Sequence, residues 1–201
     1  LAPAFTALGA SVSALELLAV VASVAMVVCN MRVHVAGWPL AIAASLAYAV
    51  IFADARLYGE ASLQGVFVAF SAWGWWLWKR PTTEGPGTSS VGHLTHAQRW
   101  GVLAAVALAW PALGGVLAHT TNTDVPFLDA LPTVGSLAGQ VLLARKRVEN
   151  WPVWLAVNVF SVGLFAHKGL WLTAALYAGF AVLSVVGWQA WRARADGAWN
   201  V

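Results

Sequence analysis

Residues 33–53 read VHVAGWPLAIAASLAYAVIFA and contain no Asp, Glu, Lys or Arg. A helix of this length crosses a bilayer, whose hydrocarbon core of about 30 Å needs around 20 apolar residues. The whole chain of 201 residues is 60% hydrophobic and 9% charged, whereas an ordinary soluble domain is about 25% charged. So few charges cannot cover a water-facing surface, which excludes a soluble enzyme, and the single cysteine, Cys29, excludes a disulfide scaffold. The sequence predicts an integral membrane protein.

Six further charge-free apolar stretches accompany the first. They lie at residues 17–31, 61–78, 100–123, 130–144, 150–167 and 169–191. The two shortest extend backwards through Glu16 to Val12 and through Asp129 to Pro126, because a single acid near a helix end can reach the headgroup region. The stretches do not alternate as the strands of a membrane barrel do. We therefore predict an all-α integral membrane protein with seven transmembrane helices.

Prolines and one polar stretch mark where these helices begin and end. Pro39 and Pro152 fall in the first turns of helices 2 and 6, where proline costs little. Pro111 is expected to interrupt and kink helix 4. Residues 81–98, rich in Gly, Ser and Thr, are predicted to form a polar linker between helices 3 and 4.

Lys and Arg predict the orientation in the membrane. Nine of the eleven fall on one side: Arg32, Lys79, Arg80, Arg99, Arg145, Lys146, Arg147, Arg192 and Arg194. Only Arg56 and Lys168 fall on the other side. Short loops rich in these residues stay in the cytoplasm, which places the amino terminus outside and the carboxyl terminus inside. Residues 1–15 have no charged n-region, so no cleaved signal peptide is expected, and the basic pI of about 9.4 requires no nucleic-acid partner.

An internal repeat relates the two halves at a shift of 113 residues. Trp38-Pro39 aligns with Trp151-Pro152, and Gly74-Trp75-x-x-Trp78 aligns with Gly187-Trp188-x-x-Trp191. Apolar composition raises chance identity, but paired motifs in register are difficult to obtain by accident. The sequence therefore predicts a duplication.

Each predicted repeat contains three helices, and one helix lies between the repeats. Three crossings plus one return the chain to its starting side, so the two repeats point the same way. This is the 3+1+3 parallel plan described for SWEET transporters, whose pathway lies near the bilayer midplane. The predicted divisions are 12–80 for the first repeat, 81–124 for the linker and helix 4, and 125–194 for the second repeat.

Uncharged polar and aromatic residues form stripes on several predicted helices. The candidates for a substrate site are Gln64, Ser71 and Trp75 on helix 3, Gln140 on helix 5, Trp154 and Asn158 on helix 6, and Tyr177 and Trp188 on helix 7. Indole faces stack on aromatic or cationic rings, and amides bind hydroxyl or carboxamide groups. The alternative is structural, since serines pack membrane helices and tryptophans at helix ends anchor them at the interface.

Motifs for catalysis or energy coupling are missing from the sequence. It has no phosphate-binding loop, no Cys/His cluster at metal spacing, and no His or acid at the depth of its buried serines. We therefore expect a protein that is not an enzyme and has neither cofactor nor metal. The lack of a midplane carboxylate also weighs against a proton- or sodium-driven pump.

The run Arg145-Lys-Arg-Val-Glu-Asn-Trp151-x-x-Trp154-x-x-x-Asn158 resembles the Pnu-type bacterial vitamin transporters, as do Ser62-Leu63-Gln64 and Gly74-Trp-Trp-Leu-Trp78. The resemblance implies a SWEET-like fold in the bacterial inner membrane and facilitated diffusion by alternating access. It also implies homotrimers and trapping of the vitamin by a cytoplasmic kinase. By position it assigns Gln64, Trp75, Trp154, Asn158 and Tyr177 to the site, together with Trp188.

The function we expect is a uniporter for nicotinamide riboside, a vitamin B3 precursor used in pyridine nucleotide salvage. Members of that branch can carry an Asn late in helices 3 and 7, where this chain has Ser71 and Val186. Thiamine or riboflavin uptake by the same fold is therefore the alternative. A SWEET-type sugar facilitator is a second class, although the many tryptophans favour a ring that stacks. A receptor or intramembrane enzyme is a third, and the duplication and missing catalytic residues weigh against it.

Overall fold

The computed structural model describes residues 3–7, 10–54, 58–80, 91–121, 125–167 and 171–197. Within them lie seven helices: α1 Ala14–Met31, α2 Gly37–Asp54, α3 Tyr58–Lys79, α4 His96–Thr120, α5 Pro126–Ala144, α6 Asn150–His167 and α7 Trp171–Ala195. They confirm an all-α protein with seven helices in the predicted order, and their ends lie within a few residues of the predicted ones. Residues 81–90 of the predicted linker, and the two side chains Arg56 and Lys168, lie outside the described part.

A short antiparallel hairpin precedes the helices, a feature that the sequence analysis did not include. Strand β1, Pro3–Ala7, pairs with β2, Ala10–Ser13. Helix α1 then begins at Ala14 rather than Val12 because Ser13 caps it. The Ser13 hydroxyl accepts the Glu16 N–H at 3.2 Å, and the Glu16 carboxylate accepts the Ser13 N–H at 2.6 Å. This reciprocal pair is a capping box, which satisfies two N–H groups at the helix start.

Five helices in the described part of the chain, α1, α2, α4, α5 and α7, are long and apolar enough to cross a membrane. The other two helices, α3 and α6, carry Gln64 and Asn158. Many large apolar side chains point outward, and Leu108 on α4 is 74% exposed. Contiguous apolar faces of this kind suit contact with lipid.

The prolines sit as predicted at two positions and differently at a third. Pro39 and Pro152 each lie in the first turn of a helix, in α2 and α6. Helix α4, in contrast, continues through Pro111 from His96 to Thr120, so this proline does not interrupt it. Pro132 also lies inside a helix, α5, and the helix predicted to begin at Pro126 already included it.

The chain divides into two compact units, residues 1–85 and 86–201. In the first unit, α2 packs against both α1 and α3. In the second unit, α5 packs against α4 and α6, and α6 also packs against α7. The order α1-α2-α3 thus has its counterpart in α5-α6-α7, with the additional helix α4 packed on α5.

The turn after α1 and the turn after α5 have the same backbone geometry at positions 113 apart. Val33 and Lys146 both adopt a left-handed conformation, with φ of 55° and 53°. Each N–H bonds back to a helix carbonyl, Val33 to Asn30 at 3.0 Å and Lys146 to Leu143 at 2.9 Å. With the following N–H bonded one residue further back, both turns form a Schellman motif, which usually has glycine at this position. The recurrence supports the predicted duplication.

A tryptophan near the start of α2 packs against a glycine of α3, and a tryptophan near the start of α6 packs in the same way against a glycine of α7. Trp38 lies against Gly74, and Trp151 lies against Gly187, so closely that a Cβ at either glycine would overlap the ring. Each indole also meets a second one edge to face, Trp38 with Trp78 at 5.3 Å between ring centroids and the equivalent pair at 5.7 Å. We define these contacts as the Trp–Gly locks.

A buried asparagine side chain occupies different positions in the two turns. In the first unit, Asn30 on α1 fills the space beside Gly37, where a Cβ would meet its Oδ1 atom. In the second unit, the position equivalent to Asn30 is Leu143, and the position equivalent to Gly37 is Asn150. Asn150 is fully buried, and its Nδ2 donates to the Arg147 carbonyl at 2.6 Å. The amide is thus contributed by α1 in one unit and by the start of α6 in the other.

Replacing the lock glycines with alanine should destabilise the protein. In Gly74→Ala and Gly187→Ala, the added methyl must displace a buried indole, and overpacking of this kind costs about 1–3 kcal/mol. Gly65→Ala on α3 is the matched control because a Cβ there meets nothing within 4 Å. The control should leave stability unchanged or raise it slightly. Thermal unfolding in detergent would measure both, and equal melting temperatures for Gly74→Ala and Gly65→Ala would contradict the lock.

Candidate functional site

The second unit brings predicted site residues from neighbouring helices together. Trp154 on α6 lies against α5 at Gly139, where a Cβ would be 2.9 Å from the indole. The next residue, Gln140, is buried, and so is Asn158, one turn further along α6 from Trp154. Glycine at 139 lets the indole approach the backbone of α5. An aromatic face and two buried amides therefore belong to one packed group of helices.

Asn158 is held by a hydrogen-bond chain that ends on the backbone of α7. Its Nδ2 donates to the Ser184 hydroxyl at 3.1 Å, and that hydroxyl donates to the Phe180 carbonyl at 2.8 Å. Asn158 and Ser184 are 6% and 3% exposed. Burying an amide without a hydrogen-bond partner costs free energy. The hydrogen bond to Ser184 offsets this cost for Asn158. The sequence analysis did not predict this pairing.

Tyr177 lies seven residues before Ser184 on α7, which places it two turns away on the same face. Its ring meets Phe180 edge to face at 6.2 Å between centroids. This face of α7 therefore runs from an aromatic ring to the serine that holds Asn158.

The first unit carries the other three predicted site residues, all on α3. Ser71 is 1% exposed, while Gln64 and Trp75 are half-buried. The Lys79 ammonium lies 4.4 Å from the centre of the Trp75 ring, a cation–π contact. Their spacings of seven and four residues keep Gln64, Ser71 and Trp75 on one helix face.

Trp188 lies at the charged end of the second unit, one turn beyond Ser184. It lines an open pocket of about 520 Å³. The other residues that line this pocket are His93, Arg99, Val148, Glu149, Pro152, Arg192 and Asp196. The structure thus places Trp188 among ionic side chains, whereas Asn158 contacts Ser184 within the helices.

Glu149 connects the segment before α4 to the α5–α6 turn. Its two carboxylate oxygens each accept the Leu94 N–H at 3.0 Å, and one of them also accepts Arg99 Nη2 at 2.9 Å. Gly92 adds a parallel backbone bridge, donating to the Lys146 carbonyl at 3.1 Å and accepting the Val148 N–H at 3.0 Å. The sequence signal was present, since Glu149 stands inside the run that resembles the family, but its role was not predicted.

The basic residues that the structure describes, which exclude Arg56 and Lys168, lie at one end of each unit. Arg32 ends α1, and Lys79 ends α3 beside the start of α2, as the contact of Trp38 with Trp78 shows. In the second unit, the 145–147 turn and Arg192 both lie near His93. Burial in the turn lowers the pKa of Lys146 because the charged form loses water contacts. Among the described residues, no group of three His, Cys, Asp or Glu could hold a metal ion.

Apolar outward faces and long apolar helices are the features of a helical membrane protein. The sequence profile described as nicotinamide mononucleotide transporter matches residues 13–193, and the chain belongs to this family. It is a multi-pass membrane transport protein, which confirms the predicted family. Membership of a transporter family also argues that the chain is not an enzyme.

Relatives of known identity cover most of the chain. It is 26% identical over 168 residues to the nicotinamide riboside transporter PnuC of Escherichia coli, covering 72% of this chain and 70% of that protein. It is 30% identical over 163 residues to the riboflavin/roseoflavin transporter RibM of Streptomyces davaonensis, covering 79% and 76%. The crystal structure of the vitamin B3 transporter PnuC superposes with a TM-score of 0.76 at 24% identity, covering 91% of this chain and 82% of that one. The last similarity establishes the fold.

Removing the charge of Glu149 should loosen the segment before α4. In Glu149→Gln the Leu94 N–H loses a charged acceptor, and hydrogen bonds to charged groups contribute about 1.5–3 kcal/mol. We expect the Leu94 amide to exchange its hydrogen at least about tenfold faster, measured by mass spectrometry on peptides covering 91–99. Glu16→Gln is the control because that carboxylate accepts the Ser13 N–H at the start of α1, in the other unit. Unchanged exchange in Glu149→Gln would show that the backbone bridge alone holds this segment.

Proposed function

We propose that this protein takes up nicotinamide riboside across the bacterial inner membrane by facilitated diffusion. The observation that carries the proposal is the buried Asn158 amide, held by Ser184 on helices that also carry Trp154. It belongs to the Arg145–Asn158 run, and a relative at 26% identity transports this riboside. A stacking indole and a fixed amide suit a pyridinium ring that bears a carboxamide.

Riboflavin is the second candidate substrate, supported by the comparison with RibM. That relative is more similar in sequence, at 30% identity, and aligns over more of the chain. The isoalloxazine ring also stacks on indole, and its imide pairs with amides. Thiamine remains an alternative for the same fold, and a SWEET-type sugar facilitator is a more distant one.

The mechanism that we propose is uniport by alternating access, with all seven helices crossing the membrane as two parallel three-helix repeats around α4. Gln64, Ser71, Trp75, Gln140, Trp154, Asn158 and Tyr177 are the proposed substrate contacts, together with Trp188. The uncharged character of the buried groups Ser71, Gln140 and Asn158 supports transport without a coupled ion. Ion-coupled carriers typically have charged groups at midplane depth. The amides and hydroxyls buried in this chain therefore favour passive transport.

We further propose that the amino terminus is outside and the carboxyl terminus in the cytoplasm. The clustering of Lys and Arg at one end of each unit supports this orientation through the positive-inside rule. Homotrimer formation and trapping of the vitamin by a cytoplasmic kinase follow from the family resemblance.

A ligand panel tests the substrate assignment. Purified protein in detergent is mixed with nicotinamide riboside, riboflavin, thiamine or glucose, and binding is measured by calorimetry and thermal shift. A ligand that binds the folded state raises the melting temperature with concentration. We expect nicotinamide riboside to give the largest shift. A response to riboflavin or thiamine alone would assign the protein to another substrate branch of the family. No response to any vitamin would refute the proposal.

Transport in liposomes tests the mechanism. Protein reconstituted without ATP and without any ion gradient should equilibrate labelled nicotinamide riboside across the membrane. Asn158→Ala is the control, because a folded variant without the amide should bind the riboside at least about tenfold more weakly. Uptake that requires a proton or sodium gradient would overturn the uniport mechanism.

A further inference from the structure

The Ser184 hydroxyl determines which way the Asn158 amide points. A serine hydroxyl carries a single hydrogen, and in this structure it is given to the Phe180 carbonyl at 2.8 Å. Ser184 Oγ can therefore only accept from Asn158, so the NH₂ group of the amide must face it, at 3.1 Å. The reverse orientation would bring two oxygen acceptors together without a hydrogen between them. The carbonyl oxygen of Asn158 is thereby directed away from Ser184.

We propose that Ser184 is a positioning residue that makes Asn158 present its carbonyl oxygen to the ligand. The ligand class selected is then one that donates an N–H or O–H at this point, such as a primary carboxamide or a cyclic imide. An analogue that offers only acceptors there, such as a carboxylate, is rejected because two acceptors repel. The inference rests on the proposed function and specifies which chemical group of the ligand the same site recognises.

The two halves of the chain differ at this pair of positions, so their equivalent residues do not select the ligand in the same way. A shift of 113 residues aligns Ser184 with Ser71, but it aligns Asn158 with Ser45. The first half therefore repeats the serine of α7 without the amide of α6. A hydroxyl such as that of Ser45 can rotate to donate or accept, whereas an amide locked by Ser184 cannot. Selection for a donor is therefore a property of the second repeat.

Ser184→Ala should relax this selection. Nicotinamide riboside carries a carboxamide, and nicotinic acid riboside carries a carboxylate at the same ring position. By calorimetry, the wild-type protein should prefer the carboxamide, and Ser184→Ala should reduce the ratio of the two dissociation constants by about tenfold. Ser184→Thr keeps a hydroxyl that can bond the i−4 carbonyl and should restore the ratio. An unchanged ratio in folded Ser184→Ala would overturn the proposal.

Thr133→Val is the matched control for the loss of a helix hydroxyl. Thr133 donates to the Asp129 carbonyl at 3.1 Å, the same i−4 bond that Ser184 makes, but on α5. This variant should keep the wild-type ratio of dissociation constants. If Ser184→Ala does not fold, Ser184→Cys replaces it, since a thiol has a similar size and accepts hydrogen bonds weakly.

Two further measurements separate failure of the inference from failure of the proposed function. If the protein binds riboflavin instead, the same comparison uses riboflavin against its N3-methyl analogue, which lacks the imide N–H. Independently of any ligand, NMR of ¹⁵N-asparagine identifies the Asn158 side-chain NH₂ signal by its absence in Asn158→Ala. Slow hydrogen exchange of that signal in wild type, lost in Ser184→Ala, is expected. Equal exchange in both proteins would refute the orientation even when no vitamin binds.

Discussion

The packing of an indole against a glycine is the contact on which the arrangement of each unit depends. Trp38 and Trp151 are almost fully buried, at 1% and 3% exposure. Trp38 begins α2 and lies against a glycine late in α3, and Trp151 begins α6 and lies against a glycine late in α7. Each contact thus fixes how far its two helices slide along each other. In the second unit, that register places Asn158 opposite Ser184. The precise pairing of polar groups thus depends on an apolar contact at the end of the helices.

Charge gaps predicted the helices well because membrane crossing imposes a length and excludes ionised groups. The turns were not predictable in the same way. Val33 adopts a left-handed conformation that normally favours glycine, and no local signal marks a β-branched residue for it. The role of Glu149 was also hidden, since its partners Leu94 and Arg99 are about fifty residues away in sequence.

The candidate site was predictable in residue type but only partly in geometry. Asn158 and Gln140 were expected within the helices, and both are buried. Helix periodicity assigns residues to a face, but it does not give the depth of a side chain or its partner. Trp188 shares a stripe with Ser184 in sequence, yet it lies in a pocket beside Glu149. Such distinctions arise from packing between helices, which the order of residues along one helix does not contain.

The two turns show that the same buried volume can be filled from either side. Asn30 fills the space beside Gly37, whereas Leu143 accompanies Asn150 in the second unit. A symmetric protein engineered from a single repeat copied twice must therefore inherit one of these pairs intact. A consensus that took Asn30 from one half and Asn150 from the other would place two amides where there is room for one. Residues that change between the halves of such a chain are thus exchangeable only as pairs.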